Sequence, residues 1–227
     1  MSTKRFQLLV FDWDGTLMDS KARIVASFQS AIEEVELPPR SAEHIQHIIG
    51  LGLDKAIATL YPQVEPKLQL ELAHRYRYHF LNVNTLATPL FPGVVDTLNK
   101  LYAQDYDLAV ATGKSRAGLD RALTETGLLT LFRSTRCAEE TCSKPDPLML
   151  QEIMEEMNVS AEKTLMIGDS EYDLHMARHA GVAAIGVSYG VHDKARLLNC
   201  SPLTCLDHIT EIEHWLGAKI DSAPASG

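Results

Sequence analysis

Four short, mainly apolar runs are spread along the chain, and each ends at a glycine or a polar residue. A continuous run of this kind is typical of a strand that is buried on both faces of a sheet. The runs therefore predict buried β-strands rather than surface segments. The predicted strands cover residues 6–11, 108–111, 165–167 and 183–187.

Segments with helical spacing of apolar residues lie between and after these strands. They predict helices at residues 116–126, 147–157 and 172–180, and Gly127 and Gly181 end two of them. Strands that alternate with helices imply right-handed crossovers and a mostly parallel sheet. We therefore expect an α/β fold with a doubly wound, Rossmann-like core.

Residues 18–88 break this alternation. Apolar positions follow helical spacing early in the segment, and LQLELAHRYRYHFL later predicts a second, long amphipathic helix. No strand pattern is evident in the segment. We predict an inserted all-helical domain at 18–88, a core built from 1–17 and 89–216, and a flexible tail at 217–227.

Composition and charge narrow the class of protein. The 227 residues carry a formal charge of −9 without a basic stripe, which argues against nucleic acid as a partner. The amino-terminal apolar run is too short for a signal peptide or a membrane span. We expect a cytoplasmic monomer or homodimer that binds neither nucleic acid nor membranes.

Three alternative metal sites fit the residue spacing poorly. The four cysteines form two pairs with four residues between members, which matches neither a zinc knuckle nor a redox pair. Gly15 follows Asp12 too closely for a calcium loop of the EF-hand type. His175 and His179 have helical i, i+4 spacing, but no third ligand is apparent. Reduced thiols and solvated helix surface are the simpler interpretations.

Polar residues stand at the carboxyl ends of three predicted strands. Asp12 follows the first strand, Thr112 the second and Asp169 the third. In doubly wound sheets, ligands bind beyond the carboxyl ends of the strands. We therefore expect the three side chains to share one site, although each alone would also suit ordinary loop or capping chemistry.

The sequence around these positions resembles four motifs of the haloacid dehalogenase superfamily. FDWDGTLMDS at residues 11–20 is similar to the first motif. VATGK around Thr112 is similar to the second, and SKPDP around Lys144 to the third. GDSEYDL, which contains Asp169 and Asp173, is similar to the fourth. The resemblance covers nearly the whole chain, and the helical insertion matches the cap that the family places after its first motif.

The resemblance implies phosphoryl transfer that depends on Mg²⁺. Asp12 would be the nucleophile that forms an aspartyl phosphate, and Asp14 the general acid and base. The implied metal ligands are Asp12, the backbone carbonyl of Asp14, and Asp169. Carboxylate and carbonyl oxygens are the ligands that a hard cation such as Mg²⁺ prefers.

The remaining motif residues surround the phosphoryl group in this interpretation. The Thr112 hydroxyl and the Gly113 N–H would donate hydrogen bonds to its oxygens, and Lys144 would neutralise charge on Asp12 and the phosphate. Asp173 would support the metal ligands from behind, and a solvated helix surface is the other interpretation of this residue.

Asp14 also separates the activities found in the family. The dehalogenases lack this second aspartate, and the phosphonate hydrolases replace it with a small residue. Sugar phosphate mutases keep it but tend to carry valine or isoleucine in place of Thr16. We therefore expect hydrolysis of a small phosphorylated metabolite. A mutase and a non-catalytic binding or regulatory protein are the alternatives.

The stretch IIGLGLDKAI at residues 48–57 resembles the cap loop of the phosphoglycolate phosphatases. In those enzymes the loop overhangs the site and selects the leaving group, so Gly50 and Lys55 are predicted specificity residues. Arg75 and Arg77 are further candidates for binding a substrate carboxylate, with solvated helix surface as the simpler interpretation. The resemblance favours a phosphoglycolate-type substrate, although Gly113 replaces the asparagine often found after the threonine of the second motif.

Overall fold

A parallel sheet of six strands is the centre of the fold in the computed structural model, which describes residues 4–221. The strand order is β3-β2-β1-β4-β5-β6, and every neighbouring pair is parallel. This sheet confirms the predicted α/β fold. The strands are β1 (Leu8–Phe11), β2 (Asp107–Thr112), β3 (Ser134–Cys137), β4 (Thr164–Gly168), β5 (Ala183–Val187) and β6 (Cys205–Leu206).

Alternate residues of β1 enter the two hydrophobic clusters that cover the faces of the sheet. Leu9 and Phe11 pack into one cluster, and Leu8 and Val10 into the other. All four are fully buried, because successive side chains of a strand point to opposite faces and both faces are covered here. The continuous apolar run in the sequence has this physical cause.

The segment between β1 and the next part of the core is helical and has a hydrophobic cluster of its own. A short π-helix, His79–Val83, continues the last of its helices. We call residues 21–83 the helical segment; the domain limits of 18–88 stay a prediction. Its α-helices are α1 (Lys21–Glu34), α2 (Ala42–Gln46), α3 (Leu53–Leu60) and α4 (Pro66–Tyr78).

The remaining α-helices precede, connect or follow the strands β2 to β6. The three helices predicted after residue 115 begin and end within one residue of their predicted limits. Ser115 begins α6 by accepting a hydrogen bond from the Gly118 N–H, and Gly127 ends it in the left-handed conformation. These helices are α5 (Val94–Ala103), α6 (Arg116–Thr126), α7 (Leu148–Met157), α8 (Glu171–His179), α9 (Lys194–Asn199) and α10 (Glu211–Asp221).

Two strands and one helix differ from the sequence prediction. The edge strands β3 and β6 are only partly buried and short, so neither shows an apolar run. Helix α10 continues to Asp221 and so includes the first five residues of the predicted flexible tail at 217–227, which stays a prediction; residues 222–227 lie outside the described residues. Within residues 4–221, no helix is long and apolar enough to cross a membrane.

The register of the sheet brings three strand ends together. Phe11 at the end of β1 aligns with Val110 of β2 on one side and with Ile167 of β4 on the other. The residues that follow these positions therefore meet at one edge. This edge lies where the strand order reverses between β1 and β4, which is the usual ligand position in doubly wound sheets.

Candidate active site

Asp12 lies in a buried ion-pair network directly after β1. Its Oδ1 accepts a hydrogen bond of 2.6 Å from Nζ of Lys144, and the same ammonium lies 2.7 Å from Oδ1 of Asp173. Burial raises the pKa of Asp12 well above its usual value, while the charge of Lys144 opposes this effect. Burial alone would lower the pKa of Lys144, but the two carboxylates raise it, so the ammonium stays charged.

Asp169, directly after β4, is fixed by two donors. The Thr16 hydroxyl donates to Oδ1 at 2.9 Å, and the Val191 N–H donates to Oδ2 at 2.8 Å. A Cβ atom at Gly15 or at Gly190 would lie 2.2 Å from the Asp169 side chain, so the site requires glycine at both positions. Burial, together with the charge of Asp173, raises the pKa of Asp169 to about 7.

The carboxylates of Asp12, Asp169 and Asp173 form a cluster that fits a metal ion. One oxygen from each carboxylate lies within 4.8 Å of the other two. In the described part of the chain, this is the group of His, Cys, Asp or Glu side chains that could hold a metal ion. Among the described residues, Oδ2 of Asp12 is buried without a hydrogen-bond partner. A buried carboxylate oxygen without a partner is costly, and a hard cation satisfies it.

Asp173 serves two neighbours besides this cluster. Its Oδ2 accepts hydrogen bonds from the N–H and the hydroxyl of Ser170, at 3.0 and 2.6 Å, and so closes the first turn of α8. Its Oδ1 lies against the Lys144 ammonium. Both oxygens of Asp173 therefore have polar neighbours in the protein. The supporting role that the sequence predicts for Asp173 stays a prediction, and direct ligation of the metal ion is the alternative.

Asp14 faces a different set of donors from Asp12. The Ser20 hydroxyl donates to its Oδ1 at 2.7 Å, and the ammonium of Lys114 donates to Oδ1 and Oδ2 at 3.0 and 3.1 Å. Lys114 is buried and lies 4.9 Å from the ring centroid of Phe80 on the helical segment. The second aspartate of the first motif is therefore held by donors other than Lys144, next to Phe80 of the helical segment.

Four carboxylates and two ammonium groups make up this inner site. Lys144 and Lys114 balance half of the negative charge, which leaves an excess of two charges when all the carboxylates are ionised. A divalent cation matches that excess. The residues present therefore fit Mg²⁺. The carboxylates are Asp12, Asp14, Asp169 and Asp173.

Thr112 and Gly113 end β2 beside these aspartates. The Thr112 hydroxyl accepts a hydrogen bond of 3.2 Å from the Lys114 N–H, which fixes its position and leaves its own proton free to be donated. A Cβ atom at Gly113 would lie 2.4 Å from the carbonyl oxygen of Leu51. The backbone of the helical segment therefore lies directly over the end of β2.

The loop at residues 47–52, which we call the glycine loop, makes this contact. The Gly52 N–H donates to Oγ of Ser143 at 2.8 Å, and the Tyr172 hydroxyl donates to the carbonyl of His47 at 3.0 Å. Gly50 adopts a φ of 100°, a value that side chains rarely tolerate. The loop therefore rests on the core in a closed arrangement that depends on its glycines.

A cavity of about 380 Å³, which we call the chamber, lies between the helical segment and the strand ends. The predicted site residues that do not line it are Lys144, Asp169 and Asp173, which lie behind Asp12. Arg77 contributes to the lining, whereas Arg75 pairs with Glu34 at 3.0 Å. The predicted site residues that line it are Asp12, Asp14, Gly50, Lys55, Thr112 and Gly113.

Sequence reasoning identified Lys144 as the partner of Asp12 but did not identify the partners of Asp14 and Asp169. Lys114 and Ser20 hold Asp14, and Thr16 and Val191 hold Asp169. Three of these four partners lie inside the motif stretches FDWDGTLMDS and VATGK. The sequence therefore contains them as polar residues next to the motif positions. Val191 acts through its backbone N–H, which no side-chain pattern reveals.

The comparisons with known proteins agree with this arrangement. A family model described as haloacid dehalogenase-like hydrolase matches residues 9–187. The chain is 35% identical to "Probable phosphatase IndB" of Dickeya dadantii, with 96% of this chain and 98% of the relative covered. It is 29% identical to a phosphoglycolate phosphatase of Vibrio cholerae, with 88% of this chain and 92% of the relative covered.

A solved structure gives the same result for the fold. The crystal structure of a predicted phosphoglycolate phosphatase from Haemophilus somnus superimposes with a TM-score of 0.85 at 26% identity. The alignment covers 94% of this chain and 99% of that one. The parallel sheet with aspartates at its strand ends is that of an α/β protein with a Rossmann-like core. The chain belongs to the haloacid dehalogenase-like hydrolases, and it is a phosphatase, as the motifs predicted.

Proposed function

We propose that the enzyme hydrolyses small phosphomonoesters with Mg²⁺ and forms a phosphoryl intermediate on Asp12. The observation that carries this proposal is the state of the Asp12 carboxylate. One of its oxygens is held by Lys144, and the other is buried without a hydrogen-bond partner among the described residues. The residue also lines the chamber, so its carboxylate is fixed where a substrate enters.

Asp12 and Asp169 would hold the metal ion, with the carbonyl of Asp14 as the third protein ligand implied by the family motif. When bound, the ion neutralises the repulsion between Asp12 and the phosphate dianion and polarises the phosphoryl oxygens. Lys144 adds a positive charge 2.6 Å from Asp12. The Thr112 hydroxyl and the Gly113 N–H would donate hydrogen bonds to the phosphoryl oxygens as charge spreads over them.

The reaction would proceed in two displacements at phosphorus. In the first, an oxygen of Asp12 bonds to phosphorus, the bond to the ester oxygen breaks, and Asp14 donates a proton to the departing alkoxide. In the second, Asp14 takes a proton from a water molecule that attacks phosphorus. The bond between phosphorus and the Asp12 oxygen breaks, which regenerates the Asp12 carboxylate and releases inorganic phosphate. Lys114 and Ser20 would orient Asp14 for both transfers, because they hold its carboxylate directly.

We propose that residues 18–88 act as a cap that closes over Asp12 and selects the substrate. The glycine loop lies against Gly113 and Ser143 of the core, so the chamber is enclosed on that side. Relatives of this chain are named phosphoglycolate phosphatases, so phosphoglycolate is the reference substrate. The curated relatives reported above are named phosphatases, so hydrolysis is preferred over the mutase alternative.

Two amide variants test the covalent mechanism. Asp12→Asn is expected to abolish turnover of an aryl phosphate, since an amide is a poor nucleophile. Asp14→Asn is expected to form the phosphoenzyme from this activated ester but to break it down slowly. Single-turnover kinetics and the intact mass of the acid-quenched protein measure both steps.

Asp19→Asn is the matched control, because Asp19 belongs to the same motif stretch and is exposed. It should retain wild-type turnover. Substantial turnover by homogeneous Asp12→Asn protein would exclude the aspartyl phosphate. Equal slowing of the two half-reactions in Asp14→Asn would remove the acid and base role from that residue.

A further inference from the structure

The chamber is larger and more apolar than a two-carbon leaving group requires. Its volume of about 380 Å³ falls within the range of about 300–1,000 Å³ that is usual for sites enclosing drug-sized ligands. Apolar side chains from α1, the glycine loop and α3 form much of its lining. They include Ile24, Ile48, Ile49, Leu51 and Leu53.

Three rings of the helical segment form a continuous surface on one side of the chamber, and we call it the aromatic wall. Phe28 stacks on Tyr76 with ring centroids 4.1 Å apart, and Tyr76 lies 5.9 Å from Phe80. Phe28 is buried, whereas Tyr76 and Phe80 keep part of their surface accessible. Aromatic surface left open in an enclosed site is stabilised by an apolar or aromatic partner.

The aromatic wall stands next to the group that would protonate the leaving oxygen. Nζ of Lys114 lies 4.9 Å from the ring centroid of Phe80 and 3.0 Å from Oδ1 of Asp14. An alcohol portion that receives its proton from Asp14 therefore extends along this wall.

The charges of the lining do not favour a leaving group with its own carboxylate. Lys114 is already bound to both oxygens of Asp14. Lys55 and Arg77 line the chamber together with the carboxylates of Asp54 and Glu139. With Asp12, the lining carries four carboxylates and three cations. A second anionic group on the substrate would find no surplus of positive charge there.

We infer that the physiological substrate is a phosphomonoester whose alcohol portion carries a ring with an apolar face, seated against Phe28, Tyr76 and Phe80. The inference rests on the proposed phosphatase function and specifies its substrate class. Burial of the ring favours such esters over short aliphatic ones. We then expect a lower kcat/KM for phosphoglycolate than for such a ring-bearing ester, although relatives of this chain are named phosphoglycolate phosphatases.

A matched series of esters tests this inference in the wild-type enzyme with Mg²⁺. Benzyl phosphate and ethyl phosphate both release alkoxides of similar basicity, so their comparison isolates the ring. We expect kcat/KM for benzyl phosphate to exceed that for ethyl phosphate and for phosphoglycolate by about tenfold or more. A ratio near one, or a preference for phosphoglycolate, would overturn the inference while leaving the phosphatase function intact. Failure to hydrolyse any of the three esters would overturn both.

Two variants locate the ring. Phe80→Leu keeps apolar volume but removes an aromatic face, and Ala56→Phe fills the chamber from α3. Both are expected to lower the benzyl-to-ethyl ratio of kcat/KM by about fivefold or more. Leu70→Ala is the matched control on α4, because Leu70 is exposed and does not line the chamber. A benzyl-to-ethyl ratio that is unchanged in both variants would overturn the placement of the ring against the aromatic wall. If either variant fails to fold, the wild-type ester series still decides the substrate class.

Discussion

Replacing Gly113 with alanine should separate closure of the helical segment from the rest of catalysis. The new Cβ atom would lie 2.4 Å from the carbonyl oxygen of Leu51 and 2.7 Å from that of Gly50. Ordinary van der Waals contact begins at 3.4 Å, so the glycine loop would have to retreat by about 1 Å. The backbone N–H of residue 113 is kept, so the proposed phosphate donor is not lost.

The expected loss is kinetic rather than thermodynamic. A misplacement of about 1 Å at a closing element lowers the rate by about 100-fold, and we expect kcat/KM of Gly113→Ala to fall by that order. The clash is relieved by movement of a loop, so unfolding should cost less than the roughly 1–3 kcal/mol of overpacking in a closed core. Steady-state kinetics and urea unfolding measure the two quantities.

Two further glycine variants complete this test. Gly52→Ala presses on a neighbouring contact between the glycine loop and the core, because its Cβ would lie 2.8 Å from the Cβ of Ala138, and it should show a similar loss of kcat/KM. Gly217→Ala is the control, since a Cβ there meets no atom of the described residues within 4 Å and alanine suits the interior of α10. If Gly113→Ala kept kcat/KM within threefold of wild type, the closed loop would not be the catalytic arrangement.

Two other predictions concern the metal site. The pKa of Asp169 is about 7 in the folded chain against 3.8 as its ordinary value, so the metal-free fold binds a proton that the unfolded chain has released. Urea unfolding without metal should therefore show a free energy of unfolding that decreases as the pH rises from about 4 to 7. Mg²⁺ should stabilise the protein more at pH 8 than at pH 5, because the carboxylates that bind it must be ionised. A flat profile, or equal stabilisation at both pH values, would contradict this electrostatic account. Asp169→Ala should weaken Mg²⁺ binding by about tenfold or more in calorimetric titration while the protein stays folded; unchanged affinity would place the ion on Asp12 and Asp173.

The network around Lys144 explains why three acidic residues can be buried so close together. Asp12, Asp169 and Asp173 are each at most 1% exposed, and the same is true of Lys144. An ammonium between two of the carboxylates offsets part of their repulsion, and the protonation described above offsets more in the metal-free protein. The arrangement therefore suits the exchange of a proton for a divalent cation, as proposed above.

The sequence by itself determined the four central strands of the sheet, three of its connecting helices and the residues at the strand ends. The reason is local: β1 and β4 are buried on both faces, so their apolar runs are continuous, and Asp12 and Asp169 follow where each run stops. Gly127 and Gly181 ended two helices because left-handed backbone favours glycine. The edge strands β3 and β6 escaped prediction, since partial burial leaves no apolar signal.

Only the tertiary structure decided which groups meet across the chain. Lys114 is 100 residues from Asp14, and the Val191 N–H is 22 residues from Asp169, so no spacing rule connects them. The contact between Gly113 and Leu51 and the aromatic wall depend in the same way on how the helical segment packs against the core. Motif chemistry is local in sequence, whereas the volume and polarity of the chamber arise from two separately packed hydrophobic clusters brought face to face.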